Sequence, residues 1–180
     1  GIVLSSSEEI INNVNYFKNL CFTKEKFIHN DLGWNMRMSN LQAAVACAQL
    51  EKIENTINKK KEIGSKYHQL LKEIPAKLSC ERMPYAENHY WVFGIVINED
   101  VKLSAKQVRE KLLEENIETR PFFYPMHKQP VLERLGILDK IKRPVSEKLY
   151  VKGFYIPTGL NLTDSKLEYI SEKIKKILTY

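Results

Sequence analysis

Residues 33–44 read Gly-Trp-Asn-Met-Arg-Met-Ser-Asn-Leu-Gln-Ala-Ala, and they decide how the chain is organised because a helix start follows two polar side chains. Ser39 is the predicted N-cap, and Gln42 is its capping-box partner three residues later. Asn35 and Arg37 come directly before this start. Helix N-termini favour anions, so the two side chains are candidate phosphate ligands. Asparagine is also a common turn residue, however, and an arginine before a helix often only solvates a loop.

The apolar pattern predicts one long helix over residues 41–74, which joins two different regions. The helix ends before Pro75, because a proline pushes the preceding residue out of helical geometry. In residues 1–40 the pattern predicts a strand at residues 2–4 and an amphipathic helix capped by Ser6 and Glu9. Residues 75–180 alternate strands and helices, which predicts a small α+β domain with helices on one face of a sheet. The fold class is therefore α/β to α+β.

Within residues 75–180 the predicted elements are a buried strand over 90–97, a helix opened by Ser104 and Gln107, short strands over 117–120 and 154–156, and a last helix from about Asp164. The first strand is too uniformly apolar and too rich in β-branched and aromatic residues to lie on the surface. The capping pairs and the period of 3.6 residues mark the helices.

Composition narrows the class of protein. The 180 residues are 43% hydrophobic and carry a net charge of +6, which suits a globular protein with anionic ligands. The dense basic run at residues 59–61 lacks an accompanying nucleic-acid motif and indicates solvated helix surface. Cys21, Cys47 and Cys80 lack disulfide or metal spacing, so we expect reduced thiols and no metal site. With no signal peptide and no membrane-spanning run, the expected location is the cytoplasm.

Three segments together resemble a known family: residues 33–50 (GWNMRMSNLQAAVACAQL), residues 119–130 (TRPFFYPMHKQP) and residues 154–163 (FYIPTGLNLT). They resemble the C-terminal half of the DegT/StrS-type nucleotide-sugar aminotransferases, which are fold type I enzymes dependent on pyridoxal 5′-phosphate (PLP). The resemblance implies that residues 1–40 are the end of the large cofactor domain, residues 41–74 a linking helix and residues 75–180 the small C-terminal domain.

The same resemblance implies roles for five residues. The family's active site lies at a homodimer interface, so Asn35 is expected to reach the cofactor phosphate of the neighbouring subunit, with Arg37 beside it. His127 is expected on a loop near the partner's nucleotide-sugar site. Arg120 and Tyr124 share that loop and are further candidates for binding substrate phosphates or hydroxyls. Alternatively, His127 is a surface histidine between two prolines, and Arg120 pairs with an acid such as Glu118.

The resemblance also implies a reaction, the transfer of an amino group from glutamate to a nucleotide-linked keto-sugar. A perosamine-type substrate, a 4-keto-6-deoxy sugar on GDP, is the expected one, and the product would serve surface polysaccharide. Transamination needs a lysine that bonds to PLP, and in the family that lysine precedes the position of Gly1. We therefore expect this chain alone to be inactive. The alternatives are a non-catalytic interaction module, or a dehydratase of the same family.

Overall fold

The computed structural model describes residues 1–25, 27–137 and 142–179, and the chain forms two compact units, Gly1–Ile53 and Glu54–Tyr180. The helices are α1 (Glu8–Lys18), α2 (Asn40–Leu50), α3 (Ile53–Leu71), α4 (Ala105–Glu114), α5 (Pro130–Arg134), α6 (Pro144–Lys152) and α7 (Asp164–Thr179), with a 3₁₀ turn at Met126–Lys128. The strands are β1 (Ala76–Leu78), β2 (Arg82–Met83), β3 (Ala86–Glu87), β4 (Phe93–Ile97), β5 (Arg120–Pro121) and β6 (Gly153–Ile156).

The first unit corrects two details of the sequence prediction. Residues 2–4 do not form a strand, and the side chains of Ile2 and Leu4 are 78% and 90% exposed. Apolar residues become a strand only when a neighbouring strand accepts their hydrogen bonds. The N-cap of α1 is Ser7 rather than Ser6, because the Ser7 hydroxyl accepts the Ile10 N–H at 3.4 Å.

The long helix predicted over residues 41–74 was wrong as a single element, since α2 ends at Leu50 and α3 begins at Ile53. At the break, the Lys52 N–H donates to the Gln49 carbonyl at 3.2 Å, three residues back instead of four. Such a tightened turn ends an α-helix without a proline or a glycine. The boundary between the compact units falls directly after this break, at Ile53.

The second unit is built on an antiparallel sheet with the strand order β1-β4-β6-β5. Phe93 pairs with Ile156 and Ala76 with Ile97, so β4 is central, and Arg120 pairs with Tyr155 at the β5 edge. A separate two-stranded ladder joins β2 and β3. Strand β6 and helix α7 confirm the predictions for 154–156 and for the last helix. The strand predicted over 117–120 is confined to Arg120–Pro121.

A single apolar core holds the second unit together. Among the described residues it consists of eighteen buried side chains: Ile63, Tyr67, Leu71, Ile74, Tyr90, Phe93, Ile95, Ile97, Ala105, Val108, Leu112, Ile117, Phe154, Ile156, Leu167, Ile170, Ile174 and Leu178. Most of them come from the sheet and from helices α3, α4 and α7, whose apolar faces have the helical period, and Ile74, Tyr90 and Ile117 come from connecting segments. The capping box predicted at Ser104 and Gln107 is confirmed and begins α4.

Candidate functional site

In the first unit, the segment that carries Asn35 is fixed by backbone hydrogen bonds to the end of α1. The Trp34 N–H donates to the Phe17 carbonyl at 2.9 Å, and the Met36 N–H donates to the Lys18 carbonyl at 3.0 Å. Asn35 itself forms an isolated antiparallel bridge with Asn19. The backbone on both sides of Asn35 is therefore held in an extended conformation, and the side chain is left exposed.

Gly33 is required for this close approach. A Cβ atom at position 33 would lie 2.6 Å from the backbone N of Cys21 and 2.8 Å from its Sγ. Cys21 is completely buried, and burial raises the pKa of its thiol. A side chain at position 33 would thus push the segment away from the end of α1, and Asn35 with it.

The capping box of α2 lies four residues beyond Asn35 and confirms the predicted helix start. The Gln42 N–H donates to Ser39 Oγ at 3.3 Å, while the Ser39 N–H donates to Gln42 Oε1 at 2.9 Å. The cap therefore already provides an acceptor for one of the free backbone N–H groups at the start of α2. The bonds that hold Asn35 go to α1 and not to this cap.

Asn35 and Arg37 have the chemistry of anion ligands. Among the described residues, no hydrogen-bond partner engages the Asn35 amide, and the Arg37 guanidinium has no carboxylate partner within ion-pair distance. The guanidinium carbon of Arg37 lies 5.8 Å from the centre of the Phe22 ring, a cation–π contact that leaves its N–H groups open. An exposed amide and an open cation therefore fit a phosphate group.

In the second unit, Phe122 fixes the start of the loop that carries Tyr124 and His127. Its ring lies against Gly94 of β4 and Gly153 of β6, where a Cβ atom at position 153 would clash with the ring and a Cβ at position 94 would lie 3.0 Å from it. The same ring stacks on Tyr155, with the ring centres 4.5 Å apart. Two glycines on neighbouring strands thus form a seat for one aromatic side chain, and the loop starts from a fixed point.

His127 lies in the 3₁₀ turn at Met126–Lys128, and a carboxylate from α6 binds it. The distance from His127 Nε2 to Glu147 Oε1 is 2.9 Å, and Lys128 Nζ donates to the other oxygen, Oε2, at 2.6 Å. These two hydrogen bonds, that of Lys128 first, lower the pKa of Glu147 to about 2. Glu147 is therefore a carboxylate throughout the neutral range, and the loop is tied to α6 by charge.

Tyr124 and Arg120 belong to different cavities. Tyr124 packs edge-on against Tyr150 at 5.0 Å and lines a groove of about 660 Å³ together with Lys128 and Glu147. Arg120 lines a second cavity of about 610 Å³, beside Trp91. Within the described part of the chain, Arg120 has no ion pair with Glu118 or another acid. The structure thus groups Tyr124 with the His127 loop and places Arg120 apart from them.

Comparison with known proteins identifies the chain. The model of the DegT/DnrJ/EryC1/StrS aminotransferase family matches residues 1–175. The chain belongs to this family. Among curated relatives of the family, GDP-perosamine synthase of Vibrio cholerae is 30% identical over 176 residues, which are 97% of this chain and 47% of that protein. GDP-perosamine synthase of Escherichia coli O157:H7 is 28% identical, over 98% of this chain and 46% of that protein.

Solved structures of aminotransferases share the fold. Helicobacter pylori PseC, an aminotransferase of pseudoaminic acid biosynthesis, superposes with a TM-score of 0.84 at 18% identity, over 97% of this chain and 47% of that one. A Streptococcus pneumoniae protein described as a sugar aminotransferase, solved in its PLP form, superposes with a TM-score of 0.86 at 14% identity. The match covers 97% of this chain and 45% of that one. The chain therefore spans about half the length of these relatives and has the fold of the C-terminal part of a PLP fold type I aminotransferase.

Sequence reasoning missed Glu147 as a partner of the His127 loop. It lies twenty residues after His127, in the first turn of a helix that begins with Pro144 at its first position. The proline marks the helix start, but nothing in the sequence near Glu147 indicates that its carboxylate contacts a distant histidine. Such a pairing depends on how α6 packs beside the loop.

Two features that the described residues lack bear on the kind of site. No group of three or more histidine, cysteine, aspartate or glutamate side chains is close enough there to hold a metal ion. None of the helices in residues 1–25, 27–137 and 142–179 combines the length and the apolar character that crossing a membrane requires.

Proposed function

We propose that this chain is the C-terminal part of a PLP-dependent aminotransferase that moves an amino group from glutamate to a GDP-linked 4-keto-6-deoxy sugar. The observation that carries the proposal is the family match over residues 1–175, together with relatives in Vibrio cholerae and Escherichia coli that are GDP-perosamine synthases. The product would serve a surface polysaccharide. The proposed location of the enzyme is the cytoplasm, which a nucleotide-sugar substrate and free thiols support.

Asn35 and Arg37 would hold the cofactor phosphate, in a homodimer the phosphate of the neighbouring subunit. Their support is chemical: the amide and the guanidinium are exposed and open, and backbone bonds to α1 fix their segment. An amide N–H and an arginine give a phosphate charge-assisted hydrogen bonds. When bound, PLP supplies the electron sink that lets the amino group leave one carbon and join another.

The nucleotide-sugar would contact the loop with Tyr124 and His127, and Arg120 would bind a phosphate or hydroxyl group of the same substrate. The support for the first two is their position on one loop anchored by the Phe122 seat and by Glu147. The support for Arg120 is an exposed guanidinium on the rim of a cavity whose size suits a small-molecule ligand.

The lysine that bonds to PLP is not matched by any position of this sequence, so the 180-residue chain would be inactive alone. The family match over residues 1–175 is compatible with two alternative functions, a non-catalytic interaction module and a dehydratase.

The proposal is tested by complementation. The chain is mixed with a Vibrio cholerae GDP-perosamine synthase in which the residue aligned with Asn35 is replaced by alanine, and ¹⁵N-glutamate, PLP and a GDP-linked 4-keto-6-deoxy sugar are added. Mass spectrometry then measures ¹⁵N in the sugar nucleotide. We expect the mixture to form labelled product at least about tenfold faster than the alanine variant alone, whose phosphate contact lacks one hydrogen bond, and we expect no labelled product from the chain alone.

Each other result contradicts a part of the proposal. Mixed proteins that form a complex without product support the interaction module. Loss of the sugar hydroxyl without ¹⁵N incorporation supports the dehydratase. Labelled product from the chain alone, with a lysine of these 180 residues modified by PLP after borohydride reduction, contradicts the statement that the chain lacks the catalytic lysine.

A further inference from the structure

We propose that Glu147 is a positioning residue that keeps the proton of the neutral His127 ring on Nε2, so that Nδ1 is the atom offered to a ligand. The geometry that carries this is the 2.9 Å distance from Nε2 to Glu147 Oε1. His127 is mostly buried, with 14% of its side chain exposed, so its ring has little freedom to turn away.

The direction of the hydrogen bond follows from the chemistry of the acceptor. An ionised carboxylate has no proton to give, so a nitrogen at hydrogen-bond distance from it must be the donor. The Glu147 carboxylate is ionised because Lys128 and His127 both stabilise its charge, which lowers its pKa to about 2. Nε2 therefore carries the proton, and in the neutral ring Nδ1 has a lone pair.

Lys128 makes this arrangement rigid. It donates to Glu147 Oε2 at 2.6 Å while His127 uses Oε1, so both carboxylate oxygens are engaged by neighbouring residues of one turn. The carboxylate then cannot rotate without losing a charge-assisted bond. The neighbouring cation of α6, Lys148, is paired with Glu99 and does not compete for this carboxylate.

Nδ1 remains available to a ligand. Among the described residues no group makes a hydrogen bond to His127 Nδ1. The atom is also not among the fully buried polar atoms that lack a partner, so solvent or a ligand can reach it. A lone pair on a ring fixed in this way accepts a hydrogen bond from a hydroxyl group. This step rests on the proposed function. The Nδ1 lone pair would recognise a hydroxyl group of the nucleotide-sugar, which can donate a hydrogen bond, in preference to a phosphate oxygen, which only accepts.

The tautomer is measured directly by long-range ¹H–¹⁵N NMR of the chain at about pH 8.5, well above the ordinary histidine pKa of about 6.5. We expect the His127 signal to show a protonated, pyrrole-type Nε2 and an unprotonated, pyridine-type Nδ1. In Glu147→Ala the two nitrogen shifts should move towards each other as both tautomers are populated. Glu147→Gln should retain the wild-type pattern, because its amide oxygen still accepts from Nε2.

Lys128→Met is the matched control, because it removes the positive charge that neighbours the same carboxylate and leaves the hydrogen bond between Glu147 and the imidazole in place. It should keep the Nε2–H tautomer. The wild-type spectrum can overturn the proposal by itself, even if the alanine variant does not fold. A proton on Nδ1 in the wild type, or a Glu147→Ala spectrum identical to the wild type, would overturn it.

The complementation assay separates this inference from the proposed function. If both hold, Glu147→Ala raises the KM for the nucleotide-sugar about tenfold with a smaller change in kcat, and Glu147→Gln restores most of the affinity. If the mixture makes no product at all, the proposed function fails, while the NMR result still decides how His127 is held.

Discussion

The two compact units differ most in what is buried. Among the described residues of Gly1–Ile53, Cys21 is the one buried hydrophobic side chain, and fifteen large apolar side chains are exposed. In the described part of Glu54–Tyr180, eighteen buried residues form a continuous core. Helix α1 and the Asn35 segment are joined by backbone hydrogen bonds, whereas the His127 loop stands on a packed sheet.

The difference teaches that the two candidate ligand groups depend on different kinds of support. Burial of apolar side chains is the main source of folding free energy, so stability should reside in the second unit. In the first unit the position of Asn35 rests on a few hydrogen bonds and one close backbone approach. We therefore expect the same substitution to have unequal effects in the two units.

The largest expected effect comes from the core. Leu112→Ala in α4 removes a completely buried side chain and should lower the free energy of unfolding by about 2–5 kcal/mol. Leu41→Ala in α2 removes a leucine that is 77% exposed and should change it by less than about 0.5 kcal/mol. Urea unfolding followed by circular dichroism measures both.

Leu113→Ala is the control within α4, because Leu113 is next to Leu112 and is 62% exposed. It should behave like Leu41→Ala. Equal losses for Leu112 and Leu41 would contradict the unequal division of stability between the units.

A smaller effect is expected at the aromatic seat. In Gly153→Ala the new methyl group collides with the Phe122 ring and with the Leu149 carbonyl, which should cost about 1–3 kcal/mol as the ring is displaced. Gly159→Ala is the matched control, because its Cβ would meet only the end of the Asn161 side chain. A thermal unfolding midpoint for Gly153→Ala that equals the control would show that Phe122 has room to shift.

The two capping boxes allow the same substitution to be compared in both units. Ser104→Ala and Ser39→Ala each remove the bond that the hydroxyl accepts from the N–H three residues later, a loss of about 1 kcal/mol. In α4 this loss should appear in the global unfolding curve. In α2 it should appear as faster hydrogen exchange near Gln42 with an unchanged global midpoint. An equal drop in the global midpoint for both variants would contradict the comparison.

The smallest expected effect is on how the melting temperature changes at acidic pH. The folded-state pKa of Glu147 is about 2, below the ordinary value of 4.5, so its ionised form stabilises the fold above pH 4.5. This contribution is lost as the pH falls from 4.5 towards 2. Glu147→Gln should therefore show a flatter decline of the melting temperature over that range. Identical slopes for the variant and the wild type would mean that the Lys128 and His127 contacts do not persist in solution.

Most features whose contacts span three or four residues were predictable from the sequence, although the N-cap of α1 is Ser7 and not the predicted Ser6. The capping boxes at Ser39 and Ser104 have both of their bonds, and α7 begins at the predicted Asp164. Strand β6 is also where the apolar run indicates, since it is buried between two neighbouring strands. In each case the local pattern and the final packing favour the same structure.

The remaining features depend on distant parts of the chain. The apolar pattern across residues 51–52 continues the helical period, so the break between α2 and α3 has no proline or glycine to signal it. Strand β1 has three residues and exists because Ala76 pairs with Ile97. The contact between His127 and Glu147 joins a loop to a helix twenty residues later. None of these pairings is encoded in a short motif.

The central claim, that Asn35 holds an anion needed for amino transfer, is tested most directly by the rate of ¹⁵N transfer in the complementation mixture. Asn35→Ala is compared with Asn19→Ala, which removes the same kind of side chain from the residue that bridges Asn35. We predict a loss of about tenfold or more for Asn35→Ala, the effect of one hydrogen bond to a charged group, and a change of less than about twofold for Asn19→Ala. Equal rates for the two variants would contradict the claim.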